Sequence, residues 1–319
     1  MGLLVNGEWH TDWYDTESTN GEFIRQDAQF RNWITPSSAQ GQFPAARGRY
    51  HLYVSLACPW AHRTLIIRAL KQLQDVIGVT IVKPEMLDKG WEIEADANNP
   101  LPDARTMADI YRKADASYSG RVTVPVLWDT QTETIVSNES SEIIRMLNTA
   151  FNEFTPVQTD YYPEALRNEI DRVNEFVYDT VNNGVYKTGF ATTQSAYEKH
   201  FHNLFEALEE LDRRLGQQRY LAGNQITEAD WRLFTTLIRF DAVYVGHFKC
   251  NLKRIEDFTH LPHYVRDLYQ QPGVAETVNF EHIKIHYYYS HDTINPTRVV
   301  PLGPKLNYDQ PHNRNQLFV

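Results

Sequence analysis

Residues 50–73 read YHLYVSLACPWAHRTLIIRALKQL and place a strand, a cysteine and a helix in direct succession. Residues 51–55 form a short run rich in strand-forming side chains. After Cys58 and Pro59, apolar residues recur at the spacing of one helix face: Ala61, Leu65, Ile66, Ala69, Leu70 and Leu73. The sequence therefore predicts that Cys58 stands where a strand is followed by a helix.

This position makes Cys58 the first candidate for chemistry. The unpaired amides and partial positive charge of a helix N-terminus stabilise an anion, and Pro59 fits a first helical turn, which needs no amide hydrogen. Cysteines in such settings can have their pKa lowered from about 8.5 to about 3.5–7.5, and the thiolate is the form that attacks sulfur. The alternative interpretation is a buried structural thiol, the commonest fate of a free cysteine.

The only other cysteine is Cys250, and position 61, where a Cys-x-x-Cys pair would place its second thiol, is Ala61. An oxidised Cys58 is therefore expected to be reduced by a thiol from another molecule. Within the chain, Cys250 is the only other thiol that could take this role. We interpret Cys250 as a structural thiol. Two cysteines cannot build a disulfide framework, which favours a reducing compartment. Since the N-terminus also lacks a charged leader, we expect a soluble, cytoplasmic protein.

Composition and charge limit the kinds of ligand. The 319 residues are 42% hydrophobic, enough to close the cores of one large or two moderate domains. Lys and Arg number 31 against 41 Asp and Glu, so the formal net charge is −10. This charge argues against binding to nucleic acid or anionic membranes, and no stretch approaches the roughly 18 apolar residues of a membrane span. A small molecule or another protein is the expected ligand.

The pattern changes along the chain from mixed α/β to all-α. The first part is predicted to contain a strand at 51–55, a helix at 61–73, a strand at 79–82, an insert at 84–121, a hairpin at 124–136 and a helix at 139–148. Pro84 is expected to end the second strand, and beyond Pro156 only amphipathic helices are predicted. We therefore predict an irregular arm at 1–48, an α/β domain at 49–150, an all-α domain at 160–280 and a proline-rich coil that covers them at 281–319.

Two further sites draw attention in the α/β part. Pro125 opens a strand-like run, a position that a cis peptide bond before it would explain. Glu139 and Ser140 open the following helix, whose free amides and Ser140 hydroxyl can hold a carboxylate while Glu139 holds an ammonium. A ligand with both groups at one end would fit, although an ordinary capped helix start is the alternative.

His282 and His286 lie four apart but have no third ligand, so no metal site is predicted.

Together these motifs resemble the glutathione transferase family. The order of 58–61, 124–125 and 139–140 before a helical half is similar to that fold, a thioredoxin-like domain with a mixed sheet followed by an all-α domain. Residues 227–230 look like its helical capping motif. Longer motifs resemble the xi class, the S-glutathionyl-hydroquinone reductases, at 55–63, 90–92, 184–190, 286–287 and 295–297.

The resemblance implies a role for each matching residue. Cys58 would be the nucleophile that forms a mixed disulfide with glutathione, the co-substrate. Val124 would pair its backbone with the tripeptide, Glu139 and Ser140 would hold its γ-glutamyl end, and the full set of glutathione-binding residues would be Trp91, Arg121, Val122, Thr123, Val124, Glu139 and Ser140. The resemblance also implies a homodimer.

Tyrosines would complete the aromatic-substrate site in the same family. Tyr186 would donate a proton to the departing hydroquinone, while Tyr244 and Tyr287 would point toward the thiolate. Because Tyr287 begins a run of three tyrosines, Tyr288 or Tyr289 is the alternative for the last role.

The leading hypothesis is glutathione-dependent reduction of glutathionyl-hydroquinones, with release of hydroquinone and glutathione disulfide. Aryl carbon–sulfur cleavage needs a general acid, which typically contributes about 10²–10⁴-fold. One alternative is an omega-like thioltransferase or dehydroascorbate reductase, which would use Cys58 without the tyrosines. Another is a non-catalytic interaction module of the same fold, which failure to bind a glutathione column would favour.

Overall fold

The computed structural model describes residues 2–318, which form two compact units. The sheet unit comprises residues 2–13, 26–159 and 276–290. The helical unit comprises residues 14–25, 160–275 and 291–318. The domain boundaries named above stay predictions. No helix within 2–318 is both long and apolar enough to cross a bilayer.

Ten strands lie in the sheet unit: β1 Leu3–Val5, β2 Glu8–His10, β3 Ile34–Thr35, β4 Phe43–Pro44, β5 Tyr50–Val54, β6 Gly78–Leu87, β7 Gly90–Ile93, β8 Gly120–Arg121, β9 Val126–Asp129 and β10 Thr134–Ser137. The main sheet has five strands in the order β10-β9-β5-β6-β7. Strands β5 and β6 are parallel and the other neighbours are antiparallel, which confirms the predicted mixed sheet.

Four helices belong to this unit: α1 Pro59–Leu70, α2 Met107–Ala114, α3 Ser140–Thr149 and α9 Phe280–Ser290. Cys58 is the N-cap of α1, as the sequence predicts. Helices α1 and α3 pack against each other, so the two helix starts singled out in the sequence belong to neighbouring elements.

The prediction that Pro84 ends the second strand is wrong, because β6 continues to Leu87. Val82 pairs with Ile93 and Met86 pairs with Trp91, so the register shifts between the two pairs. Proline has no amide hydrogen to give to a sheet and is tolerated where a bulge interrupts the regular pairing. The strand therefore passes through Pro84 by bulging.

The N-terminal arm is more ordered than predicted. Its first residues form a three-stranded sheet in the order β2-β1-β8, with Leu3 opposite Arg121, and β3 pairs with β4. Residues 14–25 belong to the helical unit. The prediction of an irregular arm failed here because short strands of two or three residues have no readable period.

The helical unit contains α4 Arg167–Val177, α5 Gly184–Gly189, α6 Gln194–Leu215, α7 Glu228–Arg239, α8 Leu261–Tyr269 and α10 Arg314–Leu317. Thr227 and Asp230 form the predicted capping box at the start of α7. The Asp230 carboxylate also accepts from the Leu221 amide and the Tyr264 hydroxyl. Burial raises the pKa of Asp230 against these hydrogen bonds, which favour its charged form.

The last forty residues are not coil throughout, and the prediction is wrong over α9 and α10. The prolines at 296, 301, 304 and 311 all follow α9 in the sequence, so they do not interrupt this helix. Helix α9 packs against β6 in the sheet unit.

Candidate active site

The Cys58 thiol lies at the N-terminus of α1. Its Sγ donates to the Val124 carbonyl oxygen at 3.5 Å, and the residue is 9% exposed. The Cys58 amide donates to the Ser55 carbonyl, while the Ala57 amide donates to the buried Ser55 hydroxyl at 3.2 Å. These bonds hold the turn between β5 and α1. The thiol is therefore presented at a helix N-terminus, beside the stretch predicted to pair with a peptide.

Thr123, within the 121–124 stretch, is held by one buried hydroxyl group. Tyr111 on α2 donates to the Thr123 carbonyl at 3.1 Å, and the Thr123 amide donates back to the same hydroxyl at 3.3 Å. The Asn138 side-chain amide also donates to it, at 3.0 Å. Burial raises the pKa of Tyr111, so the hydroxyl stays protonated. Sequence reasoning missed Tyr111 and Asn138, because neither belongs to a local motif.

Val124 and Val122 are buried, and the Val124–Pro125 bond is cis, which confirms that prediction. Arg121 in β8 donates from Nη1 to the Asp12 carbonyl at 2.5 Å and from Nη2 to the Trp13 carbonyl at 2.8 Å. Its guanidinium therefore ties the N-terminal arm to this stretch.

Glu139 is the N-cap of α3, and its Oε1 accepts from the amide and the hydroxyl of Ser141, both at 2.8 Å. The capped helix start considered for the sequence is thus observed. Ser140 is buried, and its hydroxyl accepts from Nη1 of Arg63 at 3.4 Å. Arg63, itself buried on α1, brings a positive charge to the start of α3, a link that the sequence did not reveal.

Trp91 lies on β7 and is 6% exposed. Its ring stacks on the His286 imidazole of α9, with centroids 4.7 Å apart and planes 22° apart. Tyr287, the next residue on α9, is buried, whereas Tyr288 and Tyr289 are half-buried. The sheet unit therefore contains Cys58, Trp91, the 121–124 stretch, the start of α3 and Tyr287.

Tyr186 and Tyr244 belong to the helical unit, where their ring centroids lie 6.2 Å apart. Tyr244 is fully buried and stacks on Phe248 at 5.4 Å. The guanidinium carbon of Arg25 lies 4.9 Å from the centroid of the Tyr186 ring, and Arg25 Nε donates to Asn183 at 2.8 Å. The two predicted tyrosines are thus neighbours within one aromatic cluster.

Cys250 is also in the helical unit and is fully buried. Its Sγ donates to the Phe248 carbonyl at 3.8 Å, and burial raises the pKa of this thiol far above its ordinary value. A thiol that stays protonated is a poor nucleophile, which agrees with the interpretation of Cys250 as structural. Within residues 2–318, no three His, Cys, Asp or Glu side chains are grouped so that they can hold a metal ion.

Comparisons with known proteins agree with this architecture. Residues 57–150 match the model of the glutathione S-transferase N-terminal domain, and residues 194–267 match that of the C-terminal domain. The chain is 54% identical over 327 residues to glutathionyl-hydroquinone reductase YqjG of Escherichia coli (strain K12), covering 100% of both proteins. It is 49% identical over 308 residues to glutathionyl-hydroquinone reductase PcpF of Sphingobium chlorophenolicum, covering 95% of this chain and 96% of that one.

Solved structures are equally similar. The glutathione-bound structure of YqjG aligns with a TM-score of 0.90 and 51% identity, over 99% of this chain and 100% of that one. A xi class glutathione transferase from Natrialba magadii aligns with a TM-score of 0.91 and 45% identity, over 99% and 97% of the two chains. The fold and the cysteine site thus define a glutathione transferase. Within that superfamily the chain belongs to the xi class, which confirms the resemblance found in its motifs.

Proposed function

We propose that this protein reduces S-glutathionyl-hydroquinones with glutathione and releases the hydroquinone and glutathione disulfide. The observation that carries the proposal is the Cys58 thiol at the N-terminus of α1, with its Sγ 3.5 Å from the Val124 carbonyl oxygen. The similarity to two proteins named glutathionyl-hydroquinone reductases supports it.

The first step is attack of the Cys58 thiolate on the glutathione sulfur of the aryl thioether. A sulfur–sulfur bond forms, the aryl carbon–sulfur bond breaks, and its electron pair goes to the ring carbon, which takes a proton. The products are the hydroquinone and a mixed disulfide of Cys58 with glutathione. The thiolate of a second glutathione then attacks the glutathione sulfur of this mixed disulfide, which releases glutathione disulfide and restores the Cys58 thiolate.

Glutathione binding is assigned to residues of the sheet unit. The amides at the start of α3 and the buried Ser140 hydroxyl suit the α-carboxylate of the γ-glutamyl end. A carboxylate has about four acceptor sites, so Glu139 can hold the ammonium group while it caps α3. Val124 would pair its backbone with the tripeptide, and Trp91, Arg121, Val122 and Thr123 would complete the site.

The proton for the ring carbon is assigned to Tyr186, with Tyr244 and Tyr287 oriented toward the thiolate. A phenol with an ordinary pKa of about 10 is protonated at neutral pH and can act as the acid. The aromatic cluster around Tyr186 supports this role, because flat rings favour an aromatic substrate.

We further propose that the protein acts in the cytoplasm as a homodimer without a metal. The family resemblance supports the dimer, and the paucity of cysteines supports a reducing compartment. Neither chemical step above requires a metal. Light scattering of the purified protein tests the dimer, and unchanged turnover after dialysis against a chelator tests the absence of a metal requirement.

The experiment for the main proposal uses Cys58→Ala with Cys250→Ala as its matched control. Each protein is incubated with a glutathionyl-hydroquinone and excess glutathione while free hydroquinone is followed, and the intact mass is measured after substrate alone. Wild type and Cys250→Ala should turn over and gain one glutathione, whereas Cys58→Ala should do neither. Full turnover by Cys58→Ala would refute the proposal.

A further inference from the structure

The bulge in β6 displaces backbone polar groups from the regular strand pairing. Between the pairs Val82–Ile93 and Met86–Trp91, β6 has three residues and β7 has one, so residues 83–85 lie outside the regular register. Backbone polar groups displaced from a ladder need other partners when they are buried or partly buried. The bulge lies directly beside the residue that pairs with Trp91.

Two side chains of α9 form hydrogen bonds with backbone groups at the bulge. Nδ1 of His286 lies 3.1 Å from the Pro84 carbonyl oxygen, and because a carbonyl only accepts, Nδ1 carries the proton. The Met86 amide donates to the Ser290 hydroxyl at 3.0 Å. His286 and Ser290 are four residues apart on one helix face, so α9 holds both sides of the bulge.

The same imidazole supports the Trp91 ring. The two rings are stacked at 4.7 Å, and each residue is only 6% exposed. The Tyr287 ring also packs against His286, edge-on, with the two centroids 5.1 Å apart and the ring planes at 75°. His286 thus contacts a glutathione-site residue through its ring and the adjoining bulge through Nδ1.

We infer that α9 positions the glutathione site and that His286 is its positioning residue, holding Trp91 in the orientation that binds glutathione. The inference rests on the proposed function, in which Trp91 contacts glutathione and Tyr287 serves the aromatic substrate. Since Tyr287 follows His286 on the same helix, α9 links the binding of the two substrates. Substitution of His286 should therefore weaken glutathione binding while the reaction at Cys58 still proceeds.

The first test compares His286→Ala with His286→Phe and with His282→Ala, a control one turn earlier on α9. His286→Ala should raise the KM for glutathione about tenfold, the size expected for loss of an aromatic contact, with kcat at saturating glutathione nearly unchanged. His286→Phe keeps a flat ring and should restore part of the affinity. His282→Ala should behave as wild type. An unchanged KM in folded His286→Ala would overturn the inference.

A double-mutant cycle separates positioning from a general structural role. Glutathione binding is measured by calorimetry in the Cys58→Ala background for Trp91→Ala, His286→Ala and both together. If His286 acts through Trp91, the second substitution adds little to the first. Fully additive losses would overturn the inference.

Two further measurements keep the result unambiguous. If His286→Ala fails to fold, Ser290→Ala removes the Met86 contact alone, and we expect a smaller rise in the KM for glutathione; a KM equal to that of wild type would then overturn the inference. Absence of hydroquinone release by the wild-type protein would instead refute the proposed function, whatever the His286 variants do.

Discussion

The Tyr111 hydroxyl joins three segments that no sequence motif connects. It pairs with both backbone groups of Thr123 and with the Asn138 side chain. Thr123 adjoins Val124, which contacts Cys58, and Asn138 precedes Glu139 at the start of α3. One phenol on α2 therefore fixes the distance between two parts of the proposed glutathione site.

Tyr111→Phe should lower the free energy of unfolding by about 1–3 kcal/mol, because it leaves polar groups of the half-buried Thr123 and of the buried Asn138 without this partner. Urea unfolding measures the change. Tyr197→Phe is the matched control, since its hydroxyl donates to the Lys249 carbonyl in an exposed bond and should contribute less. Equal losses in the two variants would contradict this account of Tyr111.

The central pair of strands contains a histidine that burial keeps neutral. His51 on β5 is buried, and its Nε2 is hydrogen-bonded to the Thr80 hydroxyl of β6 at 2.9 Å. Burial lowers the pKa of His51 from its ordinary value of 6.5 to about 4. The folded sheet therefore binds fewer protons at His51 than the unfolded chain does between these two values.

The linkage predicts acid destabilisation of the sheet unit. The stability that neutral His51 contributes is fully present above about pH 6.5 and is lost as pH falls through about 4, up to about 3 kcal/mol. His51→Gln should flatten the pH dependence of the unfolding free energy over this window by that amount. His202→Gln, at an exposed position, is the control and should leave the slope as in wild type. An unaltered slope in His51→Gln would show that His51 does not titrate as proposed.

Across the whole molecule, the proposed nucleophile and the proposed acid belong to different units. Cys58 lies in the sheet unit and Tyr186 in the helical unit. Substitution of Tyr186 can therefore remove the acid while the turn that presents Cys58 remains intact.

Tyr186→Phe should slow hydroquinone release by about 10²–10⁴-fold, the usual contribution of a positioned acid. Reduction of a small glutathione mixed disulfide should be nearly unaffected, because a departing thiolate needs no ring protonation. The two rates are measured side by side, with Tyr178→Phe as the control at a more exposed tyrosine of the same unit. A parallel loss of both activities would favour a structural role for Tyr186, and loss of neither would show that Tyr186 is not the proton donor.

Local patterns were sufficient for part of this protein. Cys58 at the N-cap of α1, the capping box of Thr227 and Asp230 and the two-part division into mixed sheet and helices all follow from spacings within a few residues. Helix starts and periodic apolar faces depend on neighbouring backbone groups, so the sequence by itself determined them.

Only the tertiary structure decided how distant segments support the site. The Pro84 carbonyl at the β6 bulge accepts a hydrogen bond from Nδ1 of His286, 202 positions later. Arg121 donates to the carbonyls of Asp12 and Trp13, more than a hundred positions earlier. Such bonds are formed by segments that packing alone brings together, and no periodicity encodes them. The position of Cys58, the proposed nucleophile, at a helix start could therefore be predicted from the sequence, whereas the long-range hydrogen bonds around the proposed site are visible only in the folded molecule.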